Sequence, residues 1–255
     1  MKKIALVTGA TSGIGRATAR ILAQNNYKII LCGRREERLK ELEKELSEHT
    51  EIHTLCFDVR DKKAVFEKIN TLPPHFSKID VLINNAGNAH GLSPIQDGDL
   101  DDWDEMIDSN VKGLLYVSKA IIPQMIEQKS GHIINIGSIA GKEVYPNGNV
   151  YCASKYAVDA LNKSMRMDLN PFGIRVGAIH PGMVETEFSE VRFKGDKDKA
   201  SNTYKGLKPL KADDIADIIH FVVSRPYHVN IADLIVLPTA QASATIVNRS
   251  LDILK

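Results

Sequence analysis

Short apolar runs recur along this chain, each followed by a longer segment with helical spacing. Lys3–Thr8, Lys28–Cys32, His53–Phe57, Val81–Asn84, His132–Ile136, Arg175–Ile179 and Leu234–Leu237 are mostly continuous in their apolar residues. Runs of that kind are expected of strands covered on both faces. Between them, Glu36–Leu46 sets Leu39, Leu42 and Leu46 on one stripe and pairs Glu36 with Lys40 one turn apart. Longer helical patterns run from Asp102 to about Gln128 and from Cys152 to Leu169. The repeated β-α-β rhythm predicts an α/β fold, a doubly wound parallel sheet in a single domain over residues 1–255. One stretch is strongly polar, Phe193–Asn202 (FKGDKDKASN). It is expected to be a solvated loop or a lid beyond a strand's carboxyl end.

Composition narrows the classes. With 255 residues, 43% of them hydrophobic, the chain has material for a sizeable core. A formal net charge of +1 provides no global field toward nucleic acid or an anionic membrane. The apolar start Ile4–Val7 stops at Thr8-Gly9, short of the roughly 7–15 residues of a signal peptide's core. No run approaches the roughly 18 apolar residues of a membrane span, so a soluble cytoplasmic protein is expected. Cys32, Cys56 and Cys152 lack metal or redox spacing and read as small buried hydrophobes. The eight histidines are scattered, and no metal site is expected.

The first strand runs into Thr8-Gly9-Ala10-Thr11-Ser12-Gly13-Ile14-Gly15, with a helix expected from about Arg16. Glycines there allow a tight turn and close approach of backbone to a pyrophosphate, which the helix N-terminus attracts. Gly9, Thr11, Ser12, Gly13, Ile14 and Gly15 are therefore candidate cofactor residues, although the spacing G-x-x-x-G-x-G differs from the usual dinucleotide fingerprint. The second strand ends at Cys32-Gly33-Arg34-Arg35, with no acid to hold a ribose diol. Guanidinium forks suit a 2′-phosphate, so Arg34 and Arg35 favour NADP over NAD. Asp58 and Val59 close the third strand, where an adenine would lie, and Asn85 lies just past the fourth.

Tyr151 and Lys155 stand one helical turn apart on one face, with Ser138 upstream. A lysine ammonium beside a phenol is expected to lower its pKa toward neutrality and make it a usable acid and base.

With these motifs the chain resembles the short-chain dehydrogenase/reductase family over nearly its whole length. The resemblance rests on TGATSGIG (8–15), NNAG (84–87), Asn110, Ser138, YCASK (151–155) and PG (181–182). It implies a seven-stranded Rossmann sheet and hydride transfer to or from a nicotinamide. Tyr151 would be the acid/base on the substrate oxygen and Ser138 a hydrogen-bond donor to it. Lys155 would tune Tyr151 and hold the nicotinamide ribose, and Asn110 would anchor a water leading to solvent. Pro181, Gly182, Val184 and Thr186 would grip the carboxamide.

The segments 191–217 and 232–243 look like those of the NADP-dependent 3-hydroxy acid dehydrogenases, which oxidise serine, allo-threonine and 3-hydroxyisobutyrate or reduce malonic semialdehyde. Such substrates carry a carboxylate, for which Arg192 is the candidate, with Asn147 as a possible helper in the turn before Tyr151. The expected substrate loop covers about 183–210, and the tail 240–255 is expected to cover a neighbour's site. In the resembling family the two long helices form dimer faces, usually within a tetramer, so a homotetramer is expected. A 3-oxoacyl-carrier-protein reductase shares the same catalytic set, but no clear basic patch for an acidic carrier is visible. A non-catalytic NADP sensor would be expected to lose Tyr151 or Lys155, and both are present.

Overall fold

The computed structural model describes residues 2–250. Its main sheet is built from β1 (Lys3–Thr8), β2 (Tyr27–Gly33), β3 (Ile52–Cys56), β4 (Val81–Asn84), β5 (Gly131–Ile136), β6 (Ile174–Pro181) and β9 (Asp233–Val236). These seven strands are all parallel in the order β3-β2-β1-β4-β5-β6-β9. Two further strands, β7 (Val184–Glu185) and β8 (Leu210–Lys211), form a small separate pair that the apolar pattern does not announce.

Helices cover both faces, which explains why the strand runs are apolar without alternation. On one side lie α1 (Gly13–Gln24), α2 (Glu36–Leu46) and α9 (Ala212–Val223), whose Leu22, Leu39, Leu42 and Ile219 pack against Ala5, Val7 and Ile29. On the other lie α3 (Lys62–Asn70), α5 (Leu114–Gln128) and α6 (Asn149–Leu169), whose Val65, Val117 and Val158 meet Leu6, Ile30 and Leu82. Successive residues of β1 thus enter opposite cores. Full burial of each leucine on the α2 stripe contributes roughly 2 kcal/mol.

The expected helical segment from Asp102 to Gln128 is interrupted. It divides into α4 (Leu100–Ile107), a π-helical turn over Asp108–Gly113, and α5. The polar stretch 193–202 is more ordered than a loop. It holds α8 (Lys197–Asn202), where Asp196 accepts the Lys199 N–H at 3.0 Å and caps the helix start. A second short helix, α7 (Phe188–Arg192), precedes it. Of the expected tail, residues 251–255 lie outside the described residues. Cys32 and Cys152 are buried as expected, but Cys56 is exposed. It closes β3, an edge strand, at its open carboxyl end. Among the described residues no helix is long and apolar enough to cross a membrane.

The chain builds β1, β2 and β3 toward one edge, then returns to lay β4 beside β1. Loops leaving β1 and β4 therefore diverge, and a crevice opens at their carboxyl ends. Side chains brace that point. The Thr8 hydroxyl accepts the N–H groups of Asn85 and Ala86, each at 3.0 Å, and Asn85 Nδ2 donates to the Thr8 carbonyl at 2.9 Å. Asn84 Nδ2 donates across the sheet to Asn135 Oδ1 and to Ser118 Oγ, both at 2.9 Å.

Candidate active site

The crevice is a cavity of about 750 Å³ running over the sheet's carboxyl ends. Its floor at one side is the loop after β1, where Gly9 and Gly13 hold positive φ of 66° and 49°. Thr11, Ser12, Gly13 and Ile14 line the space, and the Ser12 side chain does not cap the start of α1. Gly15 lies just behind. A Cβ there would strike the Gly9 carbonyl and the Asn85 amide nitrogen. The loop is thus a backbone cradle with free N–H groups at a helix start, and it fits a pyrophosphate. Gly15→Ala is expected to destabilise the fold by about 1–3 kcal/mol through overpacking and to weaken dinucleotide binding. Thermal unfolding with and without cofactor checks both effects.

Arg34, Arg35, Asp58 and Val59 line the adjoining stretch of cavity. The two arginines differ sharply in their surroundings. Arg34 is exposed, with an ion pair to Asp58 at 3.3 Å. Arg35 is held by protein groups: Nη2 donates to Thr11 Oγ1 at 3.0 Å and to Ser12 Oγ at 2.8 Å, and Nη1 to Glu187 at 2.9 Å.

Toward the other end, Tyr151 and Lys155 project from α6 into the cavity beside Ser138. Both are buried. Lys155 Nζ donates to the Ile136 carbonyl at 3.0 Å, and loss of water lowers its pKa to about 8. The Tyr151 phenol is pushed up by burial, which outweighs the downward pull of Ser138 and of the Arg192 guanidinium. The phenol therefore does not show the expected depression in this structure, because desolvation disfavours the phenolate more than Ser138 and Arg192 favour it. Ser138 Oγ accepts the Ala140 N–H at 3.1 Å and keeps its hydroxyl proton free to donate. Pro181 ends β6, and Gly182, Val184 and Thr186 continue along the same wall.

Asn110 and Asn147 lie off this cavity. The Asn110 amide is spent on Asn88, accepting its N–H at 2.8 Å and donating to its carbonyl at 2.9 Å, and on Ser154 Oγ at 2.9 Å. It braces the loop after β4 against α6 from within the π-helical turn. Asn147 adopts φ 66°, a turn conformation, and lines a smaller adjoining space of about 250 Å³ with Tyr151 and Arg192.

Arg192 reaches the main cavity from the end of α7. Its guanidinium stands 5.5 Å from the ring centres of both Tyr145 and Tyr151. Nη1 donates to the Tyr145 hydroxyl at 2.9 Å and Nε to the Gly91 carbonyl at 3.2 Å. Nη2 is buried with no partner among the described residues. A buried guanidinium N–H left unpaired is unfavourable, and an anionic group in the cavity would relieve it.

Several neighbours escaped the sequence reading. Phe188 meets the Tyr151 ring edge-on at 5.6 Å. Gln241, nearly buried, accepts the Met183 N–H at 2.8 Å and ties the tail to the segment after β6. Tyr145 and Gln241 sit in segments that the family resemblance covers, but nothing in their spacing marks them. Asp159, His180 and Asp233 also gather behind Ser138, their ligating atoms within 4.8 Å of one another. Spacing gives no hint of this group. The Lys142 ammonium already bridges its carboxylates at 2.8 and 2.6 Å.

Comparison with known proteins places this geometry. The short chain dehydrogenase family model matches residues 3–197. The chain is 48% identical over 251 residues to sulfoacetaldehyde reductase 2 of Chromohalobacter salexigens, covering 98% of this chain and 100% of that one. It is 46% identical over 242 residues to the NADP-dependent 3-hydroxy acid dehydrogenase YdfG of Salmonella typhimurium, covering 94% and 97%. Among solved structures, the closed form of serine dehydrogenase complexed with NADP+ superposes with a TM-score of 0.91 at 45% identity, covering 95% and 98%.

Proposed function

This chain belongs to the short-chain dehydrogenase family, and from that premise we propose that it is an NADP-dependent oxidoreductase for short 3-hydroxy acids or the matching semialdehydes. The observation that carries the substrate class is the unpartnered Nη2 of Arg192, buried in the cavity that Tyr151 lines. A small substrate with an anionic head would satisfy that nitrogen and present its carbinol carbon toward Tyr151.

The residues divide the work. Gly9, Thr11, Ser12, Gly13 and Ile14 would cradle the pyrophosphate, with Gly15 keeping the cradle open. Arg34 would supply a cation at the 2′-phosphate end, with Arg35 held beside it by Thr11, Ser12 and Glu187. Asp58 and Val59 would flank the adenine, and Asn85 shapes the floor. Pro181, Gly182, Val184 and Thr186 would hold the carboxamide. When bound, NADP+ would supply the acceptor for the hydride that leaves the carbinol carbon. The Tyr151 phenolate takes the hydroxyl proton, Ser138 donates a hydrogen bond to the same oxygen, and Lys155 stabilises the phenolate. In reduction the phenol returns the proton. Asn110 acts by bracing the loop after β4 against α6. The segment 183–210, which carries Arg192, would serve as the substrate loop, with the described part of the 240–255 tail lining the same cavity.

A sulfonate is the second candidate head group, favoured by the 48% identity to a sulfoacetaldehyde reductase. In 3-hydroxypropionate and 2-hydroxyethanesulfonate alike, one methylene separates the carbinol carbon from the anionic head, so Arg192 and Tyr151 could serve both. Exposed Met167 and Phe172, on and just beyond the end of α6, add support for subunit faces in a homotetramer, and a cytoplasmic location belongs to the same proposal.

NADPH formation with L-serine, L-allo-threonine, 3-hydroxyisobutyrate, 3-hydroxypropionate and 2-hydroxyethanesulfonate tests the reading, with NAD as control. Turnover of at least one of these acids with NADP is the expected result. Silence on all five, with activity on a 3-oxoacyl thioester, would overturn it.

A further inference from the structure

α7 is a five-residue helix preceded by one charged residue and ending on another. Just before its start, Glu187 faces the cofactor side of the cavity, where its carboxylate accepts from Arg38 Nη1 at 2.6 Å and from Arg35 Nη1 at 2.9 Å. At its finish, Arg192 enters the substrate side between Tyr145 and Tyr151. At 1.5 Å of rise per residue the two ends are roughly 7–8 Å apart along the axis. A helix this short moves as one body, so the placement of Glu187 is carried to Arg192.

The clamp on Glu187 is itself fixed. Arg35 donates from Nε and Nη2 to Thr11 Oγ1 and from Nη2 to Ser12 Oγ, so its plane is set by the loop after β1. Arg38 projects from α2 and holds the second carboxylate oxygen. Each of these pairs is about 41% exposed on its side chains, and a single pair so placed would count for little. One carboxylate shared by two arginines, one of them pinned by two hydroxyls, is a network of defined geometry. Arg34 stands outside it, exposed and paired with Asp58 at 3.3 Å.

We propose that Glu187 is a positioning residue: clamped by Arg35 and Arg38, it sets α7 so that Arg192 meets the substrate's anionic group, while Arg34 is left to the 2′-phosphate. The proposal rests on the reading that Arg192 holds that anion. The two adjacent arginines therefore serve different ends of the substrate pair. Arg34 governs the nucleotide, and Arg35 governs the acid through the helix it anchors.

The test is steady-state kinetics of the full-length enzyme with saturating NADP, using 3-hydroxypropionate and its methyl ester, which lacks the charge. Glu187→Gln is expected to raise KM for the acid about 5- to 20-fold, with kcat within about two-fold and kcat/KM for the ester unchanged, as for loss of about 1–2 kcal/mol of positioning. Arg38→Ala should reproduce the pattern and stands in if Glu187→Gln fails to fold. Arg34→Ala should instead raise KM for NADP and leave KM for the acid alone. Equal losses for acid and ester in Glu187→Gln would overturn the proposal and reduce Glu187 to a structural ion pair. Arg192→Ala separates the two levels. If it abolishes the preference for acid over ester while Glu187→Gln and Arg38→Ala do not alter it, the positioning role fails and the reading of Arg192 stands. If Arg192→Ala affects acid and ester alike, the reading of Arg192 fails and the proposal falls with it.

Discussion

Tyr151→Phe is expected to lower kcat about 10²- to 10⁴-fold, the contribution of a positioned acid/base, while NADP binding stays near the parent value. The substitution removes one hydroxyl and keeps the ring. The edge-on contact with Phe188 at 5.6 Å and the stacking on Arg192 at 5.5 Å both survive, so the cavity wall keeps its shape. The parent's pH profile carries the mechanism. Burial pushes the phenol upward in this structure, so the phenolate is scarce near neutrality. Alcohol oxidation needs the phenolate, and kcat/KM for the acid should climb with pH as the phenol ionises. Carbonyl reduction needs the phenol, and its rate should fall over the same range. In Tyr151→Phe the residual oxidation rate should lose that climb. A variant that keeps the parent's alkaline rise would assign the titrating group to another residue.

The sheet was legible because burial on both faces leaves an unambiguous trace: β1 alternates between two cores, so Ile4 through Val7 are apolar without a break. The glycine loop was legible for a related reason, since Gly15 has no room for a Cβ. What escaped is whatever depends on distant partners. Glu187 and Arg35 are 152 positions apart, and Tyr145 and Arg192 are 47 apart. No periodicity links residues brought together by separate crossovers of the sheet. The Arg34-Arg35 pair shows the limit well. Composition marks both as cations for a phosphate, but only the fold reveals that Thr11, Ser12 and Glu187 hold one of them. The phenol's pKa was misjudged for a similar reason, because spacing reports the nearby charge of Lys155 and is silent on the water that burial removes.

Lys155→Met should abolish most of the turnover and yet make the cofactor-free protein more stable at neutral pH. Lys155 is buried, with its ammonium hydrogen-bonded to the Ile136 carbonyl at 3.0 Å. Burial lowers its pKa to about 8, below the value of about 10.4 for an exposed lysine. Below pH 8 the lysine is charged in both the folded and unfolded chains, and the folded state bears the full penalty, on the order of 3 kcal/mol. Between about pH 8 and 10.4 the unfolded chain binds the proton more tightly than the folded one, so parent stability rises with pH and the penalty fades. Methionine fills a similar volume without charge and removes that penalty, but it leaves the Ile136 carbonyl without its donor, which offsets about 1 kcal/mol or more. The net gain at pH 7 is expected to be about 1–2 kcal/mol, or a Tm higher by roughly 2–8 °C. At pH 10 the gain should have shrunk to little or nothing. The same variant should lose about 10²-fold or more in kcat, since the cation that stabilises the phenolate is gone. Thermal unfolding without NADP at pH 7 and 10, beside turnover at saturating substrate, reads both effects. A variant that is less stable than the parent at pH 7, or whose advantage grows with pH, would show that Lys155 is a structural ammonium that the fold requires. The expected result identifies a charge that stability alone would remove and that proton transfer at Tyr151 requires.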